Sequence, residues 1–164
     1  MEQSAPRSRV VFMCGPAGSG KSTYARGLEA QGLTRLSFDV EMWRRGITDV
    51  PLPLALRDEI EAGLRARLLE LVAQRRDVVL DFSFWSRQMR DDYRQLLKPT
   101  GVIPETIYLA TGRAEVLSRL RNRKGQHSDD YVVPDDLAAQ YYDGFQIPTA
   151  EEGPLTVIGD ADQT

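Results

Sequence analysis

This sequence has almost none of the residues on which many active sites are built. There is one cysteine, Cys14, and one histidine, His127. A single cysteine excludes an intramolecular disulfide and a cysteine zinc cluster. A single histidine in the polar stretch after Asn122 leaves little basis for a histidine metal site or a Ser-His-Asp triad. Long apolar runs are missing too, so no membrane-spanning segment is expected, and the polar residues Met1 to Ser8 do not read as a leader. Basic charge is not in excess. The net charge of −3 argues against a surface that attracts duplex nucleic acid, although it leaves room for a local basic groove. A cytoplasmic protein, monomer or homodimer, is the expectation, with no internal repeat.

What the sequence does have is a glycine-rich run, Gly15-Pro16-Ala17-Gly18-Ser19-Gly20-Lys21-Ser22, followed by Thr23. The pattern G-x-x-x-x-G-K-S can wrap backbone N–H groups around nucleotide phosphates. Its lysine reaches the β and γ phosphates, and its serine hydroxyl ligates Mg²⁺. The flanks fit that reading. Val10 to Met13 is an apolar run suited to a buried parallel strand, and Ser22 to Leu28 continues in a helical pattern whose N-terminus faces the anion. A dinucleotide fingerprint fits poorly, because the position of the third glycine is not glycine. ATP and Mg²⁺ are therefore the expected cofactors, with Gly15 to Thr23 as the binding segment and Ser22 at the metal.

Strand and helix patterns alternate along the chain. Strands are expected over Leu33 to Phe38, ending at Asp39, and over 77–82, 106–109 and 155–158. Helices are expected over the stretch from Leu56 to Val72, Ser86 to Leu97, and Ala114 to Arg121. This is an α/β domain with a five-stranded parallel sheet and helices on both faces. One domain spans 1–164, with 1–8 and 159–164 as flexible tails. Thr48 to Pro53 and Asn122 to Pro134 read as surface segments. The first would make contacts specific to the substrate, and the second would form a mobile flap.

In such a sheet ligands bind beyond the carboxyl ends of the strands. Asp39 is the candidate base for an attacking hydroxyl, with a helix cap as its alternative role. Asp81 suits a Mg²⁺-associated carboxylate, with a turn or cap as its alternative. Arg119 and Arg123, four residues apart, would share a helix face if the helix extends that far, and would clamp phosphates as an Arg-bearing lid. Lys21, Asp39, Arg119 and Arg123 make up the catalytic set. Trp43, Phe84 and Trp85 adjoin the carboxylates and read equally as acceptor pocket or core. Arg87 and Arg90 would hold substrate or pair with Asp91 and Asp92. Phe145 to Pro148 is a candidate rest for adenine, and Tyr141 and Tyr142 read as helix packing. Cys14 reads as a buried structural thiol.

Taken together, Gly15 to Ser22, Leu36-Ser37-Phe38-Asp39 with Trp43, Val78 to Arg87, the Arg119/Arg123 region, and Phe145 to Thr149 with Glu151 and Glu152 resemble a known group. These are the small P-loop kinases often labelled AAA-like ATP-binding proteins, related to chloramphenicol phosphotransferase, the zeta toxins and polynucleotide kinase domains. The resemblance implies a nucleoside/nucleotide kinase-like P-loop fold and Mg²⁺-ATP as donor. It also implies Asp39 as the base and Arg119 and Arg123 as lid arginines. One departure stands out, because polynucleotide kinases usually carry an arginine three residues after the base and Met42 occupies that position here. The expected acceptor is accordingly a small hydroxylated molecule (an antibiotic, sugar or nucleoside) rather than a polynucleotide. A 5′-hydroxyl polynucleotide kinase and a regulatory nucleotide-binding module are the alternatives.

Overall fold

A computed structural model describes residues 7–47 and 52–159. In chain order the elements are β1 (Val10–Cys14), α1 (Lys21–Ala30), β2 (Thr34–Ser37), α2 (Phe38–Arg44), α3 (Leu54–Ala73), β3 (Val78–Asp81), α4 (Arg87–Leu97), β4 (Glu105–Leu109), α5 (Arg113–Arg121), α6 (Asp135–Asp143) and β5 (Leu155–Ile158). The five strands form one parallel sheet in the order β2-β3-β1-β4-β5. This is the expected α/β P-loop architecture.

Alternation along β1 explains the layers, since successive side chains of a strand point to opposite faces. Val10, Phe12 and Cys14 face a core built with Ile60, Leu64 and Leu68 of α3 and Tyr93 and Leu97 of α4. Val11 and Met13 face the other way, onto Ala25 and Leu28 of α1. Burying such a side chain contributes about 1.5–3 kcal/mol, so both faces hold the central strand. A third cluster joins Val116 and Leu120 of α5 to Ala138 of α6, with Ala17 of the glycine loop packed against it.

The second strand is shorter than its sequence pattern indicates. Ser37 caps α2 by accepting a hydrogen bond from the Val40 N–H at 3.2 Å, so Phe38 and Asp39 belong to the helix. The cap is thus Ser37, and Asp39 sits in the first turn. At the ends of the chain, 1–6 and 160–164 lie outside the described residues. Ser8, placed by its sequence in the first tail, is buried and donates to the Val72 carbonyl at 3.4 Å. Most of the 48–53 connection, 48–51, also lies outside the described residues. No described helix is long and apolar enough to cross a membrane.

Candidate active site

The glycine loop is clasped from the neighbouring strand end. Gly15 N–H donates to the Ser83 carbonyl at 3.0 Å, and the Ser83 hydroxyl donates back to the Gly15 carbonyl at 2.8 Å. Gly18 (φ 86°) and Gly20 (φ 99°) occupy the left-handed region, and a Cβ on Gly18 would meet Leu120 Cγ and the Val116 carbonyl at 3.0 Å. Loop and α5 can touch this closely only through glycine. Gly20 caps α1 without any side-chain hydrogen bond, which leaves the first N–H groups of the helix for an anion. The Thr111 hydroxyl holds the Ser19 carbonyl at 2.7 Å from the far side.

Asp81 ends β3 opposite Ser37 in register. Its Oδ2 accepts from the Ser22 hydroxyl at 2.9 Å, while its Oδ1 is buried with no protein partner. A hydroxyl and an orphaned carboxylate oxygen at the phosphate end of the loop fit a hydrated Mg²⁺ shared with a nucleotide. No cluster of three or more His, Cys, Asp or Glu among the described residues forms an all-protein metal site.

Beyond the loop opens a cavity of about 470 Å³, lined by Lys21, Asp39, Asp81 and Arg123 among others. Burial pushes the Asp39 carboxyl up from its usual range. Lys21 and Arg123 oppose that shift, and Asp81 and Asp129 reinforce it. Arg123 does not share a helix face with Arg119, because α5 ends at Arg121 and Arg123 lies just past its cap. Both still approach the loop region. Arg119 reaches the Gly18 carbonyl at 3.3 Å, and Arg123 lines the cavity and donates to the Tyr131 carbonyl at 3.4 Å.

The aromatic candidates separate. Ser83 (φ 70°) and Phe84 (φ 49°) are both left-handed, a costly conformation for residues with side chains. The twist turns Phe84 inward, where it stacks on Phe12 at 4.3 Å and meets Tyr93 edge-on at 5.2 Å. Trp85 is turned outward and lines the cavity. Phe84 is therefore core and not a substrate contact. Trp43 packs edge-on against Tyr131 at 5.8 Å and does not line the cavity. Arg87 lies outside it too, paired with Asp91 at 3.0 Å. Tyr142 packs with the α5–α6 cluster as its pattern indicates, but Tyr141 opens onto the cavity. Phe145 stacks on Tyr108 and lines the same cavity as Asp39, while Gln146 is taken up by Trp85 and by the start of α4.

Arg90, expected to hold substrate or to pair with Asp91 and Asp92, is spent on the fold instead, and two further features, at Arg57 and Arg35, escaped the sequence reading. Arg90 is buried and binds Glu152 Oε1 at 2.7 Å, the Phe84 carbonyl at 2.7 Å and the Gln146 carbonyl at 2.9 Å. Arg57 of α3 lines the cavity. Arg35 of β2 links Asp81 Oδ2 and Asp129 Oδ1, each at 2.7 Å, and Arg26 of α1 also pairs with Asp129. A charged residue inside a short strand whose later residues, Leu36 and Ser37, are buried was the available signal for Arg35. Cys14 is the inert thiol expected, buried and pushed up to about 12 by desolvation.

The Asp129 contacts tie the 122–134 segment to the sheet end. Burial alone would raise the Asp129 carboxyl, but hydrogen bonds and charge from Arg35 and then Arg26 outweigh it and hold the carboxyl below its usual range. Its contribution is therefore complete above the ordinary aspartate pKa and is lost as pH falls through the depressed value. Asp129→Asn removes charge-assisted bonds whose loss costs about 1.5–3 kcal/mol. Tryptic cleavage after Arg121, Arg123 or Lys124 should then accelerate about 10–100-fold at neutral pH, with the far-UV spectrum unchanged. Unchanged cleavage would mean that other contacts hold the segment.

A family model for the AAA domain matches residues 10–148. The chain belongs to that family. Among solved structures it is similar to Kti12 from Chaetomium thermophilum in complex with ADP-AlF3, at 15% identity and TM-score 0.72, covering 94% of this chain and 90% of that one. It is also similar to a sugar kinase from Janibacter sp. HTCC2649, at 20% identity and TM-score 0.64, covering 92% and 84%. A chain of the Pnkp1/Rnl/Hen1 RNA repair complex aligns at 15% identity and TM-score 0.71 over 86% of this chain, which spans only 45% of its length. No curated protein matches the sequence. At these identities the structural likenesses establish the shared fold.

Proposed function

We propose that this protein transfers the γ-phosphoryl group of Mg²⁺-ATP to a hydroxyl of a small molecule, with Asp39 as the base. The carrying observation is that a single cavity joins Asp39 to the glycine-loop lysine, to Asp81 and to Arg123. A phosphoryl acceptor needs a carboxylate on its own side of the phosphate and cations on the other. The nucleotide in the Kti12 structure and the kinase among the neighbours support the reading.

In this reading the loop N–H groups and Lys21 bind the phosphates. Arg119 and Arg123 stabilise the negative charge that builds on the transferring group. Ser22 and Asp81 would hold Mg²⁺, which when bound neutralises phosphate charge. Asp39 accepts the proton of the attacking hydroxyl, and its raised pKa makes it a stronger base than an exposed aspartate. The 122–134 segment and α6 contribute Arg123, Tyr131, Val133, Gln140 and Tyr141 to the cavity wall.

The test is ³¹P NMR of the full chain with Mg²⁺-ATP and pooled hydroxylated acceptors, beside Lys21→Ala. A new phosphate-ester resonance that Lys21→Ala abolishes is the expected result. ATP binding with no ester from any pool would overturn the reading in favour of a nucleotide-binding module.

A further inference from the structure

Resting on that reading, we propose that the acceptor is an alcohol carried on a flat aromatic body, and not a polyol. The cavity of about 470 Å³ falls in the range of about 300–1,000 Å³ that accommodates drug-sized ligands, so it holds more than a phosphate and a small hydroxyl compound. Its charged end is the phosphate end, with Lys21, Asp81 and Arg123. Its lining also includes the apolar and aromatic side chains of Phe38, Met42, Leu52, Trp85, Tyr141 and Phe145. Trp85 is 47% exposed and Tyr141 39% exposed, two large aromatic side chains left open to solvent where they line a concave site. Exposed aromatics in such a place have a ring-stacking partner to gain.

Hydrogen-bonding capacity argues the same way. A hexose or sugar acid brings several hydroxyls, and each one buried without a partner weakens binding. Several polar side chains of this wall are already engaged. The Tyr131 hydroxyl donates to the Ile47 carbonyl, and the Ser83 hydroxyl is held by Gly15. Among the described residues at the acceptor end, Arg57, Gln140 and the Tyr141 hydroxyl remain, beside Asp39, which is reserved for the reacting hydroxyl. Arg57 also lies 5.8 Å over the Phe38 ring, so part of the wall around it is itself aromatic. These few donors suit an acceptor with one reacting hydroxyl and one or two further polar groups. Placed with its ring between Trp85 and Tyr141, such a molecule would present its hydroxyl to Asp39. In the reaction the hydroxyl oxygen forms the new P–O bond, its proton passes to Asp39, and the bond from the γ-phosphorus to the bridging oxygen breaks to leave ADP.

The experiment has two readouts on the full chain. The first is ADP release with Mg²⁺-ATP and four acceptor classes: aryl-substituted primary alcohols, 2′,3′-dideoxynucleosides with a single free hydroxyl, hexoses with gluconate, and a 5′-hydroxyl oligonucleotide. The second is direct binding of the same compounds by ligand-observed NMR with a non-hydrolysable ATP analogue present. We expect an aromatic class, aryl alcohol or nucleoside, to exceed every polyol by at least about tenfold in kcat/KM. Trp85→Ala and Tyr141→Ala should each weaken its binding about tenfold while ATP affinity and Tm stay unchanged. Preference for hexose, gluconate or oligonucleotide would overturn the proposal and leave the kinase reading standing. Failure of every aromatic class to bind or to react would overturn it as well. Aromatic binding that both variants weaken, with no transfer to any class, would support the pocket assignment and sink the phosphotransfer reading.

Discussion

Asp39→Asn is expected to lower phosphoryl transfer by about 10²–10⁴-fold, the usual worth of a general base, while ATP affinity holds and the melting temperature rises. The two effects come from one cause. Burial raises the Asp39 carboxyl pKa, so at neutral pH the folded protein keeps a carboxylate that would be better solvated in the unfolded chain. A group whose folded pKa is raised costs stability as pH climbs from its unfolded value toward its folded one, and the full cost persists above that. The amide has nothing to ionise. Its advantage in Tm should therefore vanish below the ordinary aspartate pKa and appear above it, at about 2–4 °C for each kcal/mol in a protein of this size. Transfer by the wild type should decline as pH falls through the raised Asp39 value, because only the carboxylate accepts a proton. Melting curves and pH–rate profiles of the two proteins decide the matter. A variant that transfers as fast as wild type would remove Asp39 from the mechanism, and one that melts lower would show that its charge is compensated.

Arg90→Met should be the most destabilising single change outside the apolar core. Arg90 and Glu152 are 1% and 2% exposed in their side chains, and the guanidinium also satisfies the carbonyls of Phe84 and Gln146. Removing the cation leaves the buried carboxylate hydrogen-bonded only by Arg94 at 3.2 Å and the Thr149 N–H at 2.8 Å, a loss of up to about 3–5 kcal/mol that corresponds to about 6–20 °C in Tm. Burial would raise Glu152, but hydrogen bonds from Arg90, the Thr149 N–H and Arg94, with the Arg90 charge, bring it down to about 2. Its stabilisation is complete above the ordinary glutamate pKa and fades as pH falls toward about 2. The double variant Arg90→Met/Glu152→Gln should recover a large part of the loss, since no charge is then left buried alone. A double variant no better than the single would place the loss in the two carbonyls instead. Either outcome bears on the site, because Arg90 holds the left-handed Phe84 turn that carries Trp85 into the cavity.

Several elements were legible without coordinates because they depend on neighbours in sequence. A glycine loop between an apolar strand and a helix is a local pattern, and so is the alternation that produces five strands and their crossover helices. Positions after strand ends follow from topology, so Asp39 and Asp81 could be placed near the phosphates from residue order alone. The helix bearing Arg119 was also readable, to its last residue Arg121. Arg123 reaches the cavity from beyond the cap.

Other features depended on long-range packing. Whether Phe84 or Trp85 faces the cavity is settled by two left-handed residues, and nothing in Phe82-Ser83-Phe84-Trp85 announces a positive φ at non-glycine positions. Arg90 read as a substrate contact or a partner of Asp91 and Asp92, whereas its carboxylate partner is Glu152, 62 residues away. Arg35, Asp81 and Asp129 come from three separate parts of the chain and meet only once β2, β3 and the 122–134 segment are in place. The sequence by itself determined the nucleotide loop, the parallel sheet and the candidate base, because periodicity and strand-end position encode them locally. Only the tertiary structure decided which aromatics face the ligand and which charges are spent on holding the fold, because those outcomes depend on residues far apart in the chain competing for the same buried space.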